Sequence, residues 1–571
     1  MVHLLEVNGA GGRGPGAREG CAPSARSYCK RLGAKRQTFP RRPTSGPRPL
    51  LVLALFLPLA AQPQPSYLTF SSTVDSTEQP YALYLPDDFN PSHPYPLIVS
   101  LHTEDSNHRL NLRQVLGPPN RLGRPDRADP RFILAFPYAR GSMGYRGIAE
   151  QDVYDMIAAI DRRYSVDPDR IYLTGASMGG GGALHLALTH PDRWAGVAPL
   201  CAATMPGSED LAPNLLHLPI RFYHGEQDAI VPVQSSRDWQ RRLLNLGIPA
   251  SYLEYPSLRH NAWDLAYKPG ALFDWLAPLR RNRNPDRVHF VTRSYRYASA
   301  YWVRLDGLTP GTLAEIDARR SGSQIAVQTK NLDGFTLTLD RSASSVIIDG
   351  SPLRIRPAAT LSFVRAGAGW RAGLYQPTGK RPGLEGPISE AVAGRVIYVY
   401  GTLGTRTADE LDERRQLAQT AATWSTTHYR VDFSPPVKPD SEVTDADLAS
   451  SNVVLFGTPA TNSILARVAS SMPLALAPGA ADYGLLFVAP LRNHYALVSS
   501  GLPWWIGAED ANRALYAFAG EPLALLDTFG DYILFKGSLA HVVVEGRFDR
   551  NWKVPADAAA RMSATGTVTT K

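Results

Sequence analysis

The sequence predicts an α/β chain: a doubly wound, mostly parallel sheet, followed by a small β domain and then a C-terminal α/β domain. Three observations carry this. Over residues 66–281, short apolar runs such as Pro96-Leu97-Ile98-Val99-Ser100-Leu101 and Ile171-Tyr172-Leu173-Thr174 alternate with helix-like segments, the pattern of strand–helix–strand crossovers. Between 287 and 375 the apolar period switches to two, the period of a half-buried strand. Between 385 and 550 continuous apolar runs return, Val396-Ile397-Tyr398-Val399-Tyr400 and Val453-Val454-Leu455-Phe456, each ending in Gly-Thr ahead of a helix-like stretch.

Within the first unit the decisive stretch is Gly175-Ala176-Ser177-Met178-Gly179, lying between the run Ile171-Tyr172-Leu173-Thr174 and a helix-like segment. A G-x-S-x-G pentapeptide set strand–turn–helix is a nucleophile elbow: small flanking residues permit the sharp turn that lifts a serine clear of the backbone. Partners of such a serine follow in the order acid, then histidine. Arg221-Phe222-Tyr223-His224-Gly225-Glu226-Gln227-Asp228 is a short strand ending in a turn and a carboxylate. Ala250-Ser251-Tyr252-Leu253-Glu254-Tyr255 is another strand, and the loop after it carries His260. Both residues fall past the carboxyl ends of strands, where an open α/β sheet presents its site. The expected site is Ser177, Asp228 and His260, with Glu226 as a rival acid. His224 precedes the acid and reads as a strand-end residue. The backbone N–H of Met178 is the expected first oxyanion donor.

The stretch from Tyr81 to Trp263 resembles an α/β-hydrolase. It is similar to the polyhydroxybutyrate-depolymerase and feruloyl-esterase-like carboxylesterases and to the catalytic domain of the prolyl oligopeptidase family. The matching phrases are Asp167-Pro168-Asp169-Arg170-Ile171-Tyr172-Leu173-Thr174-Gly175, Ser177-Met178-Gly179-Gly180 and His260-Asn261-Ala262-Trp263. The resemblance implies the hydrolase fold and the triad, not the substrate. It implies a second oxyanion donor after the strand at 96–101, where relatives usually carry His-Gly or His-Gly-Gly and this chain has His102-Thr103-Glu104-Asp105; the N–H of Thr103 or of Glu104 can serve, with Thr103 the expected donor. His102 is expected to shape that loop or to pack in the sheet. Asp152 and Asp155, on a helical stretch, are expected to cap or to be solvated. No cofactor is expected, and the 13 histidines show no His-x-x-x-His spacing, so no metal is expected either.

The net charge of +8 argues against a nucleic-acid partner once it is located. Arg13, Arg18, Arg26, Lys30, Arg31, Lys35, Arg36, Arg41, Arg42 and Arg48 stand against Glu6 and Glu19, so the excess lies in residues 1–49 and the rest of the chain balances. This stretch is expected to be disordered, with a start codon set too early as one account of it. The apolar run 50–61 then has the length and flanks of a secretory signal core ending near Ala61, and it is too short for a span of about 20 residues. A secreted or periplasmic protein without a stable membrane anchor is expected. Cys21 and Cys29 lie in the leader, leaving Cys201 as the single thiol, expected to be buried and inert.

Arg280-Arg281-Asn282-Arg283-Asn284-Pro285 reads as a charged linker. In the β module, Ile325, Val327 and Thr329 and then Phe335, Leu337 and Leu339 alternate, with Asn331 to Gly334 as the turn between them. Tyr295, Tyr297, Tyr301 and Trp302 open the module, either as a sugar-stacking platform or, the favoured reading, as packing of the sheet and its junction. Neither Gly-Thr turn of the last unit has nucleotide-loop spacing, which leaves a small ligand or a structural role. The tail at 553–571 is expected to be disordered. The functional expectation is an exported serine hydrolase acting on small-molecule or polysaccharide-linked esters. A prolyl-oligopeptidase-type peptidase is its first rival and a catalytically weak binding protein its second.

Overall fold

The computed structural model describes residues 65–118, 127, 129, 131–340, 343–508 and 525–571. The basic leader and the apolar run at 50–61 lie outside the described residues. The described residues from 65 onward form one compact unit.

Its first sheet has eight strands. In chain order they are β1 (Ser66–Ser71), β2 (Glu78–Tyr84), β3 (Tyr95–Leu101), β4 (Ile133–Pro137), β5 (Val166–Ala176), β6 (Gly196–Leu200), β7 (Ile220–Gly225) and β8 (Ala250–Tyr255), arranged in space as β1-β2-β4-β3-β5-β6-β7-β8. Pairing is antiparallel across β1, β2 and β4 and parallel from β4 to β8. This is the doubly wound sheet of an α/β-hydrolase. Its helices are α1 (His108–Leu116), α2 (Ile148–Asp161), α3 (Met178–Thr189), α4 (Gln234–Asn245), α5 (Trp263–Ala266) and α6 (Leu272–Leu276). Both faces of the sheet are covered, which is why its strands read as unbroken apolar runs. Leu97, Val99, Leu173 and Leu186 belong to one core, and Ile98, Leu134, Tyr172 and Ala198 to the other.

Asp152 and Asp155 correct the expectation of capped or solvated carboxylates. Asp152 has no exposed side-chain surface and holds the Arg140 guanidinium at 2.5 Å, which also bonds Asp75 at 2.8 Å. Asp155 accepts the Thr73 N–H at 2.7 Å. Helical spacing identified their face, but not that the 72–75 turn would cover it.

The charged linker is fastened rather than free: Arg281 donates its backbone N–H to Asp169 O at 2.9 Å, and the Arg281 and Arg283 guanidinium groups pair with the Asp169 carboxylate. Beyond it, two five-stranded sheets enclose one core. One carries Val288, Phe290, Ile316, Ile325 and Val327, the other Leu305, Phe335, Leu337 and Phe363. The strands Gln324–Lys330 and Leu332–Thr338 lie in different sheets, so the expected hairpin is a crossover. The chain passes between the sheets at Asn331, whose φ of 54° needs the short polar side chain that tolerates this region. The aromatic cluster packs inward: Tyr297 donates to Glu150 at 2.6 Å, and the Trp302 indole donates to Pro285 O at 2.8 Å.

The last unit is a seven-stranded sheet. Val437–Pro439, Val396–Tyr400, Asn452–Phe456 and His494–Gly501 run parallel, and Tyr483–Leu491, Tyr532–Lys536 and Val542–Gly546 continue it antiparallel. Helix α7 (Ala408–Tyr429) follows its first strand. The two Gly-Thr turns are tied to one another: Thr402 donates to Asp440 through its N–H and hydroxyl, Asp440 also accepts the Ser463 N–H, and Leu403 N–H bonds Thr461 O. The tail is ordered, against expectation. Ala556–Ser563 is helical and buries Ala558 and Met562, one turn apart on one face, and Val568–Thr570 pairs with Leu474–Leu476.

The β module meets the last unit at Glu385, whose carboxylate accepts Ser294 Oγ at 2.7 Å, Tyr295 N at 2.6 Å and Arg296 N at 2.8 Å. Burial pushes this carboxyl up from about 4.5 to about 7 despite those donors. A carboxyl whose folded pKa is raised contributes most below its unfolded pKa and loses that contribution as pH rises through the folded one. Thermal unfolding followed from pH 4.5 to 8 is therefore expected to lose up to about 3 kcal/mol at this junction. Glu385→Gln is expected to flatten that part of the profile.

Candidate active site

Ser177 stands between β5 and α3 with φ 55° and ψ −117°, a strained conformation for a residue with a side chain, costing about 1–3 kcal/mol. Surrounding contacts hold it there. Ser177 N–H donates to Leu200 O at 2.9 Å, and Ser177 O accepts Gly181 N–H at 2.9 Å and Ala203 N–H at 3.2 Å. The first turn of α3 lies directly on the end of β3: a Cβ on Gly179 would stand 2.2 Å from Leu101 O. Only glycine permits that approach, and it sets the elbow beside the loop that begins at His102. Met178 opens α3, so its N–H is one of the first-turn amides that α-helical bonding leaves unpaired.

The acid and histidine loops are brought together in the same way. Gly225, ending β7, has no room for a Cβ, which would lie 1.9 Å from Arg259 O. Glu226 N–H bonds Tyr255 O and Gln227 N–H bonds Leu258 O, both at 3.0 Å. The loops thus clasp, and His260 Nδ1 lies 2.7 Å from Asp228 Oδ2 although 32 residues separate them. Asp228 Oδ1 accepts the N–H groups of Ile230 at 2.9 Å and Val231 at 3.0 Å. Burial pushes the Asp228 carboxyl up, but the bonds from His260, Val231 and Ile230 outweigh it and hold the group below its usual range. Asp228 is therefore an anion, and an anion at Nδ1 favours the hydrogen there and leaves the Nε2 lone pair available. Trp263 stands edge-on to the imidazole, with ring centroids 5.6 Å apart. Glu226, the rival acid, is exposed.

His102 is fully buried, with Nδ1 2.7 Å from Thr103 O and Nε2 2.9 Å from Tyr138 O, and Tyr145 donates its hydroxyl to His102 O at 3.1 Å. It anchors the loop in which Thr103 lies. Sequence reasoning missed what grips that loop from outside. Asp105 N–H bonds Ser142 Oγ at 3.2 Å, Asp432 N–H bonds Arg140 O at 3.0 Å, and the Arg430 guanidinium reaches Asp105 O at 3.2 Å. The segment after α7 thereby borders the site, a contact across more than 300 residues that no local pattern signals.

Cys201 Sγ, an Asp228 oxygen and a His260 nitrogen lie within 4.8 Å of one another. Burial pushes the thiol up to about 12, and it donates to His260 O at 3.4 Å. The thiol packs against the acid–histidine pair.

Residues 150–266 match a family model described as phospholipase/carboxylesterase. A probable feruloyl esterase C of Aspergillus niger is 26% identical over 190 residues, 32% of this chain and 67% of that protein. The corresponding protein of Aspergillus oryzae is 26% identical over 185 residues, with the same shares covered. Among solved structures, a thermostable esterase is 24% identical with a TM-score of 0.32, covering 38% of this chain and 63% of that one, less than two thirds of its length. The first unit is therefore similar to the carboxylesterase-like α/β-hydrolases. The relatives it matches are esterases rather than peptidases.

The clasp makes the site sensitive to a single methyl group. Gly225→Ala is expected to force the acid and histidine loops apart and to lower ester kcat about a hundredfold, with fluorophosphonate labelling slowed in parallel and overall fold retained by circular dichroism.

Proposed function

We propose that this protein is an exported serine hydrolase that cleaves carboxylic esters through Ser177, His260 and Asp228 and an acyl-enzyme. The observation that carries the reading is the 2.7 Å contact between His260 and an ionised Asp228, on the same sheet edge as the strained serine elbow. His260 Nε2 takes the Ser177 proton as Oγ attacks the ester carbonyl. The tetrahedral oxyanion is met by the N–H groups of Met178 and Thr103. His260 then protonates the departing alkoxide, leaving Ser177 acylated. Water, deprotonated by the same nitrogen, attacks the acyl group, and collapse of the second oxyanion frees the acid and restores Ser177. Asp228 stabilises the imidazolium in both halves.

The feruloyl esterase relatives support an ester joining an acid to a small alcohol or to a polysaccharide hydroxyl. Export is supported by the basic leader and the apolar run at 50–61, and among the described residues no helix is long and apolar enough to cross a membrane. We divide the chain into a catalytic domain at 66–281, a β module at 287–375 and an α/β domain at 385–550. Neither accessory domain is assigned chemistry.

The test is fluorophosphonate labelling with turnover of p-nitrophenyl acetate. Labelling and turnover are expected in the wild type and to vanish in Ser177→Ala, a loss of at least about 1,000-fold. Asp228→Asn is expected to lower kcat about 10,000-fold with little change in KM. A well-folded wild type that fails to label overturns the reading. Faster cleavage of matched anilides than of esters would move the protein to the peptidases.

A further inference from the structure

Asp228 is approached from two sides by histidines. His260 lies on the solvent side, and His224, at the end of β7, lies beneath with no exposed side-chain surface. His224 Nε2 is 3.0 Å from Val231 O and 3.2 Å from Asp228 Oδ2, and Nδ1 is 2.8 Å from Ser236 Oγ on α4. A carbonyl and a carboxylate only accept, so Nε2 must carry the hydrogen. Burial disfavours the imidazolium and lowers the His224 pKa, so the ring is neutral and Nδ1 accepts from the Ser236 hydroxyl.

This tautomer places one N–H where it acts twice on the acid. It bonds Val231 O, the carbonyl of the residue whose own N–H bonds Asp228 Oδ1, and so closes the 228–231 turn. The same N–H faces Asp228 Oδ2, the oxygen that meets His260 Nδ1. A chain of polar contacts therefore runs from Ser236 through His224 and Asp228 to His260.

We propose that His224, held in one tautomer by Val231 O and Asp228 and in one ring orientation by Ser236, is a positioning residue of the catalytic site that fixes the Asp228 turn and shares its carboxylate charge with His260. The proposal rests on the triad reading above. His224 touches no substrate atom; it acts through Asp228. Groups that face it are Asp228 and His260 at the carboxyl edge and Glu254 on β8, which is itself paired with Arg237 of α4.

Losing the Nε2–H should concentrate negative charge on Asp228 Oδ2 and strengthen its hold on the imidazolium. The acid limb of kcat/KM then moves to higher pH while a looser turn lowers kcat. In full-length protein with p-nitrophenyl acetate, His224→Leu is expected to lower kcat about tenfold with KM unchanged. The same variant should raise the acid limb by about half a pH unit. In His224→Gln the side-chain amide nitrogen reaches the Nε2 position, and most of both losses should be recovered. Ser236→Ala leaves Nδ1 without its partner, loosens the ring and should move the acid limb in the same direction by less.

A wild-type acid limb and kcat in His224→Leu, with only a lowered melting temperature, would reduce His224 to a core residue. A glutamine variant no better than leucine would also overturn the assignment. Should the leucine variant fail to fold, glutamine and Ser236→Ala decide: a displaced acid limb in Ser236→Ala with activity retained in glutamine supports the proposal, and an unmoved limb overturns it. Unlabelled wild-type protein would instead sink the triad reading, and the role of His224 with it.

Discussion

Backbone packed on backbone at the carboxyl edge of the first sheet is the constraint on which the site depends. Gly179 rests on the carbonyl of Leu101 and Gly225 rests on that of Arg259, each at a distance no side chain permits. The first approach holds a serine in a strained elbow; the second brings two loops close enough for an acid and a histidine to meet. The strain is sustained by a hydrogen bond to Leu200 O and by those from Gly181 and Ala203, so the pose is an outcome of the sheet as a whole rather than of the pentapeptide.

Charge is handled by enclosure. Asp228 is shielded, yet remains ionised because its oxygens are met by two amides and a histidine. Arg140 and Asp152 show the same logic away from the chemistry: an arginine and a carboxylate, both buried, neutralise one another and tie the 72–75 turn to α2. That arginine also offers its carbonyl to Asp432, so the anchoring of the first unit and its contact with the C-terminal unit share one residue. Glu385, where the β module meets the last sheet, is the opposite case: it accepts two amides and a hydroxyl, yet burial prevails and raises its pKa to about 7.

The strands of the first sheet were legible because a parallel sheet covered on both faces writes itself as apolar runs. The elbow was legible because its glycines are required by close approach, and close approach leaves a spacing in the sequence. The hairpin expected around Asn331 was not: two adjacent strands of period two look alike whether they pair or pass to opposite sheets, and core packing alone separates the cases. The tail misled for a related reason. Its alanine-rich composition resembles a disordered end, while the buried pair Ala558 and Met562 gains its value only from the surface it covers. Asp152 reads as a surface residue until the 72–75 turn is folded over it.

By itself the sequence determined the α/β character of the chain, the position of the first sheet's main strands, and the order in which Ser177, Asp228 and His260 arrive at one edge. These are properties of residue type and spacing, and both are local. Tertiary structure alone decided that Glu226 faces solvent while Asp228 meets His260, that His224 lies beneath the acid as a neutral donor, and that Arg430 and Asp432 border the loop carrying Thr103. Each of these depends on which backbone lies against which, and the Asp228–His260 and Asp105–Arg430 contacts span 32 and 325 residues. Contacts of that range depend on the packing of whole elements, and no periodicity in the chain records them.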